Sequence, residues 1–117
     1  MITRHEKSAR LSRVVVANGF AFLSGITAKD RSGGAKEQTA DILAQIDHFL
    51  ALAGTSKSKI VTANIWLKDI GAFNEMNAAW DEWVDPEAPP ARATVESRLA
   101  AEAILVEIQV QALVERI

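Results

Sequence analysis

Hydrophobic positions along this chain recur with two periods, and each change of period marks a new element. In "RVVVANGFAFLSG", residues 13 to 25, β-branched and aromatic residues flank Asn18-Gly19. Asn-Gly readily takes the positive φ angles of a two-residue hairpin turn, so the stretch predicts two antiparallel strands. Phe20, Phe22 and Ser24 then share one face of the second strand, and Ala21 and Leu23 share the other. After the polar loop "TAKDRSGGA" the period lengthens. Ile42, Ile46, Phe49 and Ala53 fall on one helical stripe, widened by Leu43 and Leu50, which predicts a helix over 36–53 ended by Gly54.

Alternation returns in "KIVTANIWLKD", residues 59 to 69, with Val61, Ala63, Ile65 and Leu67 expected to face the core. A second helix follows over about 72–84, with Asp69 at or near its cap. Phe73, Asn77, Trp80 and Val84 form its stripe, bordered by Met76 and Trp83; the Trp pair reads as core packing. "DPEAPP" is a stiff connector leading to a final pair of strands, 91–98 and 103–114. The order β-β-α-β-α-β-β predicts an α+β sandwich with two helices on one face of a mixed sheet. In the last strand Ile104, Val106, Ile108, Val110, Ala112 and Val114 belong beneath the helices. The opposite row, Leu105, Glu107, Gln109, Gln111 and Leu113, is mixed: it can be solvated or meet another subunit around a wet cavity, and periodicity alone ranks solvent first.

At 117 residues the chain fits one domain, 1–117, with a single core. Lys and Arg total 13 against 15 Asp and Glu, for a formal charge of −2. That balance leaves no broad basic footprint; a local basic patch stays open, though no Lys/Arg run suggests one, and nucleic acid is not expected as a partner. The absence of cysteine removes disulfides, thiolate metal sites and cysteine nucleophiles together. His5 and His48 are far apart and lack ligand spacing, and no metal or cofactor is expected. No apolar run approaches membrane-spanning length and no secretory h-region is visible, so a cytoplasmic protein without a membrane partner is expected.

Arg92, in "APPARATVES", raises the first chemical question, because an arginine keeps its charge and a buried one needs a partner. Within the fold the simplest partners are Glu96, or Glu107 across adjacent strands. Glu96 and Arg98 read as a solvated or subunit-bridging pair. Ser24 alone is a strand-end serine, and Asn77 alone a residue that binds backbone between helix and sheet.

Several stretches together resemble a known family. "FLSGIT", "EQTADIL", "WLKDIGAFNEMNAAW", "PPARATV" and "LVEIQVQALV" occur in the order and spacing of the RidA family, also called YjgF, reactive intermediate deaminases or endoribonuclease L-PSP. The region from "QIDHFL" to "MNAAWDEW" is most similar to its YoaB-like branch. The resemblance implies a chorismate-mutase-like fold and a homotrimer whose sheets face inward, with ligand clefts between subunits. It implies hydrolysis of enamines and imines such as 2-aminoacrylate to a 2-oxo acid and ammonia. Arg92 would grip the substrate carboxylate, Glu107 would position water, and Ser24, Thr94 and Asn77 would line the cleft. Leu11 stands where the family's early tyrosine enters the neighbouring cleft. That departure keeps open a second reading, a trimeric module that binds small carboxylates without turnover. The family's older names supply a third, an endoribonuclease or translation inhibitor, which the acidic balance and the lack of a histidine pair oppose.

Overall fold

Alternating strand residues and two amphipathic helices assemble around one sheet. The computed structural model describes residues 1–115. Its strands are β1 (Ile2–Lys7), β2 (Ser12–Ala17), β3 (Phe20–Leu23), β4 (Ile26–Thr27), β5 (Ile60–Leu67), β6 (Ala91–Glu96) and β7 (Val106–Leu113). The helices are α1 (Ala35–Leu52) and α2 (Phe73–Trp83). The sheet order is β1-β2-β3-β7-β5-β6, with β4 also paired to β7. Only β5 and β6 run parallel, joined through α2; every other pairing is antiparallel. No described helix is long and apolar enough to cross a membrane.

The expected α+β arrangement, two helices on a mixed sheet, is the observed one. The Asn18-Gly19 hairpin forms with φ of 52° and 81°, and Gly54 ends α1 at φ 80°. Asp69 accepts from the Gly71 amide at 2.8 Å and caps a short 3-10 turn that leads into α2. Along β7 the alternation is complete: Val106, Ile108, Val110 and Ala112 are buried, as is Ile104 just before the strand. They pack with Ile42, Leu43, Ile46 and Leu50 of α1 and Met76 and Trp80 of α2.

Three details differ from the expectation. Two further strands exist: β1 pairs with β2, and β4 continues the β3 path along β7. Val61 faces out, because the β5–β7 register shifts between Ile60 and Thr62 and buries Ile60 in its place. Most consequentially, the last two strands do not pair with each other. β6 returns from α2 parallel to β5 and takes the outer edge, while β7 lies on the other side of β5.

The face of the sheet away from the helices is uncovered in the single chain. It carries Phe20, Phe22 and Leu113, all more than a third exposed, with Gln111, Thr62 and Asn64 beside them. The small side chains of Ala91 and Ala93 leave a shallow hollow there of about 350 Å³, bordered by Thr62, Asn64 and Gln111.

One buried polar side chain ties the helix layer to the sheet. Gln38 in the first turns of α1 is fully buried and donates to the Ala103 carbonyl at 2.9 Å. Its carbonyl accepts from the Leu105 amide at 3.0 Å, which fixes the chain just before β7. Gln38→Leu keeps the volume but strands both backbone groups away from water. It should lower unfolding free energy by about 2–3 kcal/mol, read as a reduced urea midpoint at unchanged slope.

Candidate functional site

The register sorts the candidate residues into two groups on opposite faces. Arg92 pairs with Ala63 and Thr94 with Ile65, both core-facing positions of β5. Arg92 and Thr94 therefore project toward the helix side, at the open edge of the sheet. Glu107 pairs with Thr27 on one side and Trp66 on the other, and all three face away from the helices. With β5 between β6 and β7, Arg92 and Glu107 cannot pair across adjacent strands within one chain.

The first group is built around the Arg92 guanidinium, which is half-buried against α2. It lies 5.1 Å from the Trp80 ring centroid and 5.9 Å from that of Phe73. Trp80 is buried, so its ring is a fixed surface against which the Arg92 cation sits. Asn77 lies between Phe73 and Trp80 on the same helical stripe and is half-buried. Burial pushes the Arg92 pKa down from its ordinary value, and the charge of Asp81 opposes that shift. Among the described residues the ion pairs are Lys36–Glu82, Lys59–Glu115 and Lys68–Glu102, so no carboxylate neutralises Arg92 by contact. The expected structural partner Glu96 instead accepts from the Ile70 amide at 3.0 Å. Beside Arg92, the buried Thr94 hydroxyl has no hydrogen-bond partner, the one such side-chain atom among the described residues. The unpaired guanidinium suits an acidic ligand, while the unpaired hydroxyl lies behind it, out of reach of solvent in the single chain.

The second group lies around Glu107. Ser24 follows β3 directly, its amide bonded to the Arg13 carbonyl at 2.9 Å and its hydroxyl 3.5 Å from Arg13 Nη1. Gly25 comes next, and the Glu107 carboxylate occupies the space that a Cβ at Gly25 would need. The glycine is thus a requirement of the neighbour's side chain. Glu107 makes no ion pair among the described residues, so its oxygens are available to hold water or take a proton. Leu11 sits at the β1–β2 turn, where Ser8 and Leu11 close the hairpin, and is 46% exposed with no polar group to offer.

Ser24 and Glu107 are brought together, as are Arg92, Thr94 and the Asn77 stripe; the two sets are not joined within the chain. Gly25, Trp66 and the aromatic seat of Arg92 were not singled out from sequence. Glycine directly after Ser24 was the available signal for the first. The seat was visible only as part of a core stripe.

Comparison with known proteins agrees with this architecture. The endoribonuclease L-PSP family model matches residues 1–114. A RutC family protein of Haemophilus ducreyi is 43% identical over 112 residues, covering 96% of each chain. The RutC family protein YoaB of Escherichia coli is 41% identical over 113 residues, covering 97% of this chain and 98% of its own. A crystal structure of a YjgF family member from Neisseria meningitidis superposes with a TM-score of 0.97 at 44% identity, covering 100% of this chain and 98% of that one. The chain belongs to the endoribonuclease L-PSP family, the RutC/YjgF group of the sequence resemblance.

Gly25→Ala isolates the geometry of Glu107. The obstructing atom ends a flexible side chain, so the carboxylate should swing away while the backbone stays. A crystal structure of the variant should show Glu107 displaced, and urea unfolding should show a loss below about 1 kcal/mol.

Proposed function

We propose that the protein is a hydrolytic deaminase of small 2-imino acids and their enamine tautomers, acting at clefts between the subunits of a homotrimer. The observation that carries this reading is the division of the candidate residues. One chain presents an unpaired guanidinium, Arg92, at a sheet edge and an unpaired carboxylate, Glu107, on the opposite face. Packing of subunits through the uncovered face would join the edge of one copy to the Glu107 group of another. The exposed Phe20, Phe22 and Leu113 supply apolar area for that packing, and the hollow bordered by Thr62, Asn64 and Gln111 leaves room for water at its centre.

In such a cleft Arg92 takes the substrate carboxylate through two parallel hydrogen bonds and orients the C=N group. Glu107 accepts a proton from water as the oxygen adds to the imine carbon, and passes that proton to the nitrogen. Glu107 then takes the hydroxyl proton of the resulting carbinolamine and delivers it to the amino nitrogen as the C–N bond breaks, releasing ammonia and leaving the 2-oxo acid. Water is the only co-reactant, and the carboxylate ends in the charge state in which it began.

A second reading rests on Leu11. Its exposed apolar side chain offers no hydroxyl where the family's tyrosine would stand, which suits a trimer that binds small carboxylates without turnover. Ribonuclease action fits less well: His5 lies in β1 and His48 on the outer surface of α1 against Phe49, so no histidine pair shares a site.

Assembly is tested by light scattering, which should return three times the 12.7 kDa chain mass at low micromolar concentration. A stable monomer would overturn the inter-subunit cleft. The chemistry is tested by titrating 2-oxobutyrate and by coupled assays in which an oxidase generates imines. Arg92→Lys keeps charge but loses the planar fork, and should weaken acid binding at least about tenfold with the trimer intact. Glu107→Gln should bind the acid normally and lose most of the acceleration of ammonia release, on the order of 100-fold. Normal turnover in Glu107→Gln would remove it from the mechanism, and wild-type binding without turnover would leave the binding module.

A further inference from the structure

Four cations from two stretches of the sequence meet in one cleft next to Thr27, the strand neighbour of Glu107. Lys7 of β1, Arg13 of β2, and Lys29 and Arg31 of the loop after β4 line this cleft with Thr27 and Glu6, closed on the helix side by Gln45 and Phe49 of α1. The cleft has a volume of about 570 Å³. In the lining itself four positive charges stand against one negative, with Asp30 and Asp41 of the adjoining loop and helix just outside it, in a chain whose formal charge is −2. None of the four cations joins an ion pair among the described residues. Even Glu6, the one carboxylate in the lining, leaves them unpaired. Its backbone sits at φ 52°, outside the β1–β2 ladder, whose register passes from His5–Val14 to Lys7–Ser12. A non-glycine residue held in the left-handed region is uncommon, and the kink occurs on the cleft wall, opposite Arg13.

The cleft is connected to the Glu107 group through two contacts. Arg31 Nη2 donates to Thr27 Oγ1 at 3.3 Å, and Thr27 is the strand partner of Glu107 on the uncovered face. Arg13 Nη1 reaches the Ser24 hydroxyl at 3.5 Å, and Ser24 precedes the glycine against which Glu107 packs. Two guanidinium groups thus approach the Glu107 group from the side of the cleft, with two ammonium groups beyond them. Arg31 is further held by a bond from its Nε to the Ala28 carbonyl at 3.2 Å, which aims the guanidinium and limits its freedom.

We infer that Arg13 and Arg31 form a specificity site for a second, distal acid group, so that the ligand is a dicarboxylic 2-imino or 2-oxo acid. The inference rests on the proposed carboxylate-binding cleft and names its substrate class. Arg92 of a neighbouring copy takes the carboxylate next to the reacting carbon, Glu107 faces that carbon, and the cationic cleft receives the far end. A monocarboxylate of equal length leaves the four cations without a partner and gains nothing from them. The attraction is between partly exposed charges, so salt should weaken it.

The experiment compares 2-oxoglutarate with 2-oxopentanoate, acids of equal chain length that differ in the distal carboxylate. Calorimetric titration of the intact wild-type protein at low ionic strength should find the dicarboxylate on the order of tenfold tighter. That ratio should shrink as salt is raised and fall to about one in the Arg13→Gln/Arg31→Gln double variant. Equal affinity of the two acids for the wild-type protein would overturn the distal site while leaving the carboxylate cleft standing. Binding of neither acid would overturn the cleft itself, and the distal site with it. A preference that survives the double variant would move the specificity elsewhere. Binding of 2-oxoglutarate that 2-oxopentanoate cannot displace would make the cleft a separate anion site and overturn the shared ligand.

Discussion

The parallel pairing of β5 with β6 is the constraint from which the functional geometry follows. A parallel return needs a crossover, and α2 supplies it, setting β6 on the outer edge of β5 while β7 occupies the inner side. The same crossover places Phe73 and Trp80 over the new edge strand, where they seat Arg92. Had β6 turned back as a hairpin onto β7, Arg92 and Glu107 could have formed a cross-strand ion pair, and neither would have been free for a ligand. Edge position, aromatic seat and unpaired charge therefore have one topological origin.

Holding two opposite charges apart is costly to the isolated chain, and the structure limits the cost in different ways. Arg92 is only half-buried and gains from its contact with the Trp80 ring, worth about 0.5–2 kcal/mol. Glu107 is half-buried on a face that carries Gln109, Gln111 and Thr27, where a carboxylate keeps partial hydration. Gly25 gives that carboxylate room without a backbone distortion of its own. The buried Thr94 hydroxyl, without a partner, is the residual polar deficit on the Arg92 side. Such deficits are characteristic of sites whose complement is brought by a ligand or a second subunit.

The rigid layer behind the sheet keeps these groups in position. Gln38 joins α1 to the chain before β7 through two backbone bonds, and the core from Ile42 to Leu50 packs directly under Val106, Ile108 and Val110. Glu107 and Gln109 alternate with those buried residues, so any slip of register would carry the carboxylate into the core. Register and chemistry are locked together along one strand.

Much of this was legible in the chain itself, because local periodicity is a property of near neighbours. The alternation of β7, the stripe of α1, the Asn18-Gly19 turn and the caps at Asp69 and Gly54 depend on residues within a few positions of each other. The family motifs, likewise contiguous, pointed to Arg92, Glu107 and Ser24. What the tertiary structure alone decided was adjacency among distant residues. It placed β5 between the last two strands, moved Val61 outward through a bulge, and set Gly25 against Glu107. It also gathered Lys7, Arg13, Lys29 and Arg31 into one cleft in a chain with no basic run. Pairing order and bulges arise from competition among strands for hydrogen-bonding edges, which leaves no periodic signal in any one strand. Charge clustering across a fold depends on where loops return, and that is set by packing of the whole.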